Sequence, residues 1–228
     1  MTGKVVLFAK TPELGKAKTR LQPKLGLEGA YQMHQVLVEH CLQNVCSEDC
    51  PPLDVWHTGN PEHSFWGQMR VKYDFDFHQQ QGADLGERLL FCSRHYLGSD
   101  QSDALGWIIF IGSDCPFITS DYLKTAQRAL DKGAEIVIGP ATDGGYVLLA
   151  IKKPFEFLFD DIPWGGPDVL SETLARAQEN AVSVTLLDEL MDVDKPEDLK
   201  HFDSYKISLS VQKNWMDASI CALIHKIT

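Results

Sequence analysis

Short apolar runs recur along this chain, spaced so that a helix fits between most of them. Lys4 to Ala9, Leu53 to Trp56, Trp107 to Ile111, "AEIVIGPA", "GYVLLAI" and Val182 to Leu187 are too short for helices and too apolar for loops. "VKYDFDF" (Val71 to Phe77) alternates apolar and polar residues and predicts a half-buried strand. Between the runs, Leu27 to Val45 places Tyr31, Val36, Leu37, Val38, Leu42 and Val45 at helical spacing. Further helices are expected at Leu85 to Tyr96, Ser120 to Lys132 with Gly133 as the stop, and Asp168 to Glu179, with another starting at Pro196. Such alternation predicts an α/β protein, its mixed, mostly parallel sheet covered by helices on both faces. No repeat, low-complexity tract or linker divides it, so one domain is expected, with its core at about residues 3–200. Residues 204–228 form a less patterned C-terminal extension, with an edge strand expected at Ile207 to Val211 and a short helix at 214–226.

Charge narrows the function classes. A formal net charge of −11 over 228 residues argues against non-specific nucleic-acid binding and against docking on anionic lipid. No run of about 18 apolar residues offers a membrane span. The N-terminus enters a strand without a leader's charged and apolar regions, so a cytoplasmic protein is expected. Cys41, Cys46, Cys50, Cys92, Cys115 and Cys221 are irregularly spaced, which predicts reduced thiols. No CxxC or histidine at finger spacing accompanies the first three, so zinc is not expected there.

Against this acidic background the segment "FAKTPELGKAKTRL" (residues 8–21) stands out, with Lys10, Lys16, Lys18 and Arg20 just past the first strand. In open α/β sheets ligands bind beyond the carboxyl ends of the strands. Asp114 follows the Trp107 to Ile111 strand, Asp143 follows Ile136 to Ile138, and Asp188, Asp192 and Asp194 follow Val182 to Leu187. Cations at one strand end and carboxylates at three others point to a polyphosphate held by Lys and Arg, with a divalent cation on the carboxylates. The loop is neither a Walker A sequence nor G-x-G-x-x-G. Each feature also has a plain alternative. The cations could form a solvated turn, Asp114 could cap the next helix unless Thr119 or Ser120 does so, "TDGGY" could be a hairpin turn, and Asp194 could cap a helix.

Five blocks resemble one family. "FAKTPELGKAKTRL" is similar to the P-x-x-G-x-x-K-T-R-L signature opening the DUF2064 proteins. "QQGADLGERL" (80–89), "GSDCPFIT" (112–119), "GPATDGGYVLLAI" (139–151) and "DVDKPEDL" (192–199) resemble that family's later blocks, in order. The first block also resembles the opening of phospholactate guanylyltransferases and, more loosely, of molybdenum-cofactor guanylyltransferases and sugar-nucleotide pyrophosphorylases.

The resemblance implies a three-layer αβα sandwich of the nucleotide-diphospho-sugar transferase, glycosyltransferase-A-like kind. It implies a nucleotide-binding set of Phe8, Ala9, Lys10, Gly15, Lys16, Lys18 and Arg20 at the phosphates, with Asp84, Gly86 and Arg88 against base or ribose. Asp114 maps onto the metal-binding Asp, and Asp194 or Asp192 onto the second one. Gly144, Gly145, Tyr146 and Trp164 fall on the acceptor side, where "IPWGGPDVL" departs from the small hydroxyl residue of relatives. Lys18, Arg20, Asp114 and Asp143 are the implied catalytic residues, with Mg²⁺ or Mn²⁺ as cofactor. The expected partners are a nucleotide or nucleotide sugar and a small-molecule acceptor.

Three functions follow as expectations. The family label favours a glycosyltransferase-like enzyme; the lone Asp in "GSDCP" and the K-T-R loop favour a nucleotidyltransferase joining an NTP to a phosphorylated small molecule. The third is a non-catalytic nucleotide-binding module on the same fold.

Overall fold

The computed structural model describes residues 2–46, 50–98 and 104–199. Within them the chain runs β1 (Gly3–Lys10), α1 (Gln22–Val45), β2 (Leu53–Thr58), α2 (Ser64–Lys72), β3 (Asp76–Gln79), α3 (Leu85–Leu97) and β4 (Trp107–Gly112). It continues with α4 (Ser120–Asp131), β5 (Ile136–Pro140), β6 (Tyr146–Ile151), α5 (Val169–Glu179) and β7 (Val184–Leu186), with 3₁₀ turns at Thr19–Leu21 and Glu156–Leu158. The strands form one seven-stranded sheet in the order β3-β2-β1-β4-β6-β5-β7. β6 runs antiparallel to both its neighbours, and the other pairs are parallel.

Period-two alternation sends each strand's side chains into two cores. Val5, Leu7 and Ala9 of β1 and Trp107, Ile109 and Ile111 of β4 enter the core under α1, α2 and α4. Val6, Ile108 and Phe110 enter the other, under α3 and α5. Burying one such Ile, Leu or Val removes it from water for a gain of about 1.5–3 kcal/mol. The expected three-layer sandwich with a mixed, mostly parallel sheet is therefore the fold. No described helix is long and apolar enough to cross a membrane.

The expected elements form with shifted ends, and one needs correction. α1 extends N-terminally past the expected Leu27, but Gly26 interrupts it (φ 71°, ψ 175°), so the regular helix begins where the periodicity does. Val71 to Phe77 is not a single strand: Val71 and Lys72 end α2, and only Asp76–Gln79 forms β3. Phe65, Trp66 and Met69 give α2 a buried face, while Val71 is 88% exposed on its outer side. The alternation of Tyr73, Phe75 and Phe77 does mark the side packed on the core, yet pairing with β2 starts at Asp76. The helix expected from Pro196 is described only as far as Leu199, and the expected elements after Ser204, like Cys221, lie outside the described residues. The five described cysteines are free thiols.

One polar knot lies in the second core. The Asp54 carboxylate, 2% exposed, accepts from Lys4 Nζ at 2.7 Å and from the Tyr96 hydroxyl, and His78 Nε2 stands 3.3 Å away. Trp56 Nε1 donates to the Tyr96 oxygen at 3.0 Å, tying α3 to β2. A buried charge left without partners is costly. Asp54→Ala should therefore lower the unfolding free energy in urea by about 3 kcal/mol, whereas Tyr96→Phe, which loses only a hydroxyl, should cost about 1 kcal/mol.

Candidate active site

β1 pairs with β2 on one side and β4 on the other, so the strand order reverses direction there. The register Phe8↔Gly112 brings the carboxyl ends of β1 and β4 to one edge, with Lys10 and Asp114 each two residues past it. A cleft of about 580 Å³ opens at this edge. Its walls include Phe8, Ala9, Lys10, Lys16, Lys18, Arg20, Arg88, Asp114, Trp164 and Asp194 from the expected set.

Local chemistry shapes the basic loop. Lys16 N and Ala17 N both donate to Glu13 O (3.0 and 3.4 Å), and Gln22 Nε2 donates to Gly15 O at 3.2 Å, so Gly15 braces the loop from outside the cleft wall. Lys18 adopts the left-handed conformation (φ 48°, ψ 42°), which turns its side chain inward. Its Nζ donates to Val193 O at 2.6 Å and lies 2.9 Å from Asp114 Oδ1 and 3.9 Å from Asp194 Oδ1. Arg20 Nη1 meets the other Asp194 oxygen at 2.7 Å. Thr119 caps α4, accepting from Tyr122 N at 3.0 Å, which leaves Asp114 free for the cleft. Asp198, not Asp194, accepts the backbone hydrogens at Asp194 N and Lys195 N. Burial would push the Asp114 carboxyl up, but Lys18, His34 and Lys10 outweigh it and hold it below the usual carboxylate range.

The remaining expected residues stand behind the walls. Asp84 caps α3, accepting from Glu87 N at 2.9 Å. Gly86 lets Trp164 approach: a Cβ there would lie 2.7 Å from Trp164 Nε1 and 2.4 Å from Phe159 O. Asp143, Gly144 and Gly145 form the β5–β6 hairpin turn, with Gly145 N donating to Asp143 Oδ1 at 2.9 Å. Gly144 (φ +93°) packs so tightly that a Cβ would meet Pro167 O at 2.0 Å. Tyr146 stands edge-on to Trp164, ring centroids 6.3 Å apart. "DGGY" and "IPWGGPDVL" are thus packed on each other beside the cleft, and Trp164 alone of the named acceptor-side residues reaches it.

Several lining residues were not singled out in the sequence. Thr58 ends β2 and Gln80 follows β3, where the strand-end rule applies but no charge draws notice. His34 sits on the buried face of α1 with Ala30 and Leu37. Its Nε2 lies 2.9 Å from Lys10 O, and since a carbonyl only accepts, that nitrogen carries the hydrogen. Nδ1 is left a buried acceptor with no partner among the described residues. Burial holds this imidazole's pKa down, against the pull of Asp114.

These placements can be set beside known proteins. A family profile described as "Uncharacterized protein conserved in bacteria (DUF2064)" matches residues 41–166, more than half of the chain. The chain belongs to the DUF2064 family. The matched span holds three of the five blocks; the basic loop and "DVDKPEDL" lie outside it. A provisionally assigned nucleotide-diphospho-sugar transferase from Desulfovibrio desulfuricans G20 shares 27% identity and a TM-score of 0.85, over 100% of this chain and 99% of that one. The 4-diphosphocytidyl-2C-methyl-D-erythritol synthase of Anaerococcus prevotii DSM 20548 is 11% identical (TM-score 0.59, 90% and 96% covered). The inositol-1-phosphate CTP transferase of T. maritima is 13% identical (TM-score 0.55, 99% and 96% covered). At such identities the last two share the fold. No protein with a curated description matches this DUF2064 chain.

Asp192 adds a titrating group behind the cleft of this family member. Burial first, then the Asp143 carboxylate, push its pKa up to about 6. A carboxyl whose folded pKa is raised stabilises the fold while protonated, and that contribution is lost as pH rises through the folded value. In chelator-treated buffer, Asp192→Asn should therefore melt above the wild type at pH 7.5, with the gap narrowing as pH falls through 6 and closing only below the ordinary carboxylate value of 3.8. A gap independent of pH would show that Asp192 is not the titrating group.

Proposed function

We propose that this protein is a transferase that takes its donor nucleotide into the cleft by the phosphates and passes part of it to a small-molecule acceptor. The observation carrying this reading is charge. Five cationic side chains (Lys10, Lys16, Lys18, Arg20 and Arg88) line the cleft of a chain with net charge −11, against two carboxylates, Asp114 and Asp194. Such a surplus suits a triphosphate better than a diphosphate, and nucleotidyl transfer is the first reading. The acceptor's phosphate oxygen attacks the α-phosphorus, the bond to the β-phosphate oxygen breaks, and pyrophosphate leaves. Fixed cations aimed at charge that develops on the leaving group stabilise the transition state. Lys16 and Arg20, at the exposed rim, and Lys10, at the end of β1, are placed for this.

A divalent cation fits the donor set. Asp114, Asp194 and the Val193 carbonyl already converge on one positive charge, the Lys18 ammonium, and Mg²⁺ or Mn²⁺ takes carboxylate and carbonyl oxygens of this kind. Asp114 and Asp194 would hold it; bound there, it would neutralise phosphate charge as the leaving group departs. Lys18 and Arg20 keep the two carboxylates oriented, while Phe8, Ala9 and Trp164 line the cleft with apolar surface beside the phosphates.

Glycosyl transfer is the second reading, favoured by the Desulfovibrio relative's description. There the acceptor oxygen attacks the anomeric carbon, the carbon–oxygen bond breaks, and a nucleoside diphosphate leaves. Product analysis separates the two, since pyrophosphate marks the first and nucleoside diphosphate the second. Under either, Asp114→Asn should lower kcat/KM by about 10²–10³-fold while far-UV circular dichroism stays unchanged; wild-type activity in that variant would end the transferase reading at this cleft.

A further inference from the structure

The Lys18 ammonium is the one cation of the cleft wall that is turned inward rather than held at the rim. Its side chain is 3% exposed, against 75% for Lys16 and 58% for Arg20. It sits among three oxygens: Val193 O at 2.6 Å, Asp114 Oδ1 at 2.9 Å and Asp194 Oδ1 at 3.9 Å. The backbone is bent to put it there, since Lys18 is left-handed (φ 48°) at the entrance to the 3₁₀ turn Thr19–Leu21. A residue with a Cβ adopts that conformation at a cost, so contacts of the side chain must hold it.

We propose that Lys18 and a divalent cation occupy this oxygen seat by turns, and that a polyphosphate entering the cleft makes the exchange. This rests on the nucleotide reading of the cleft. An ammonium and a divalent cation on the same carboxylate oxygen would stand within about 4 Å of each other, where like charges repel strongly. With the cleft empty, Lys18 and Arg20 together balance the charges of Asp114 and Asp194, and Lys18 closes the seat. Phosphate oxygens offer Nζ a new acceptor, and the four-carbon stem of a lysine lets it swing out to them. Asp114 Oδ1, Asp194 Oδ1 and Val193 O are then released together to the metal. Val193, an apolar residue between two aspartates, contributes through its backbone, which side-chain motifs do not register. The coupling is reciprocal: whatever factor the phosphate adds to metal affinity, the metal adds to phosphate affinity.

The test uses Mn²⁺ alone, followed by the electron paramagnetic resonance signal of the free ion, with the full chain and no nucleotide. Lys18→Met removes the internal cation and keeps the stem; Lys18→Gln is the second variant, retaining a donor for Val193 O should the first fold poorly. Lys10→Met removes the same charge from the cleft without touching the seat. Lys18→Met and Lys18→Gln should bind Mn²⁺ at least about tenfold tighter than the wild type, a coupling of ordinary size, with Lys10→Met close to the wild type. Equal affinity in the wild type and the Lys18 variants would overturn the exchange, and so would equal tightening in the Lys10 and Lys18 variants, which would reduce it to overall charge. Absence of binding in every chain would overturn it too and remove the metal from the site. The nucleotide reading would stand or fall separately, on whether nucleotides raise the wild type's melting temperature.

Discussion

The pairing of β1 with β4 is the constraint on which the site depends. These two strands are adjacent in space but separated in sequence by two strands and three helices, and their register is set by apolar side chains on both faces of the sheet. A slip of one residue would turn Val5, Leu7 and Ala9 toward the wrong helices, so the cores defend the register strongly. With it fixed, a basic loop and an aspartate more than ninety residues apart arrive at one edge. The β5–β7 side then closes the arrangement through the backbone. Leu187, Leu190 and Val193 donate in turn to Ile138, Pro140 and Asp114 carbonyls, so the "DVD" segment is laid across the end of β4.

The sheet and most helices were legible because buried strands and amphipathic helices carry period signals of their own. The exception, the stretch from Ser64 to Phe77, fails for a definite reason. α2 is nine residues long, and its buried residues are the near-neighbours Phe65, Trp66 and Met69, so no extended periodicity marks it against the alternation that follows. The placement of Lys18, Arg20, Asp114 and Asp194 together was also legible, because charged residues past strand ends are few in an apolar framework. The scaffolding parts of Asp84, Gly86 and Gly144 were not. Each depends on what a distant segment brings near it, be it Trp164 over Gly86 or Pro167 over Gly144. His34 was hidden for the same cause: a histidine on a buried helix face reads as core until the loop beneath it is seen to be hollow.

α3 joins two polar regions, one at each of its ends. Its last turn carries His95 and Tyr96 into the knot around Asp54, while its first turn presents Leu85 and Arg88 to the cleft and lies under Trp164. The two ends are separated by about 16 Å along the axis, at a rise of about 1.5 Å per residue. The cleft's far wall and the ion-pair cluster around Asp54 therefore share one helix, whose buried face (Gly86, Leu89, Cys92, Ser93 and Tyr96) seats it on the sheet along its whole length.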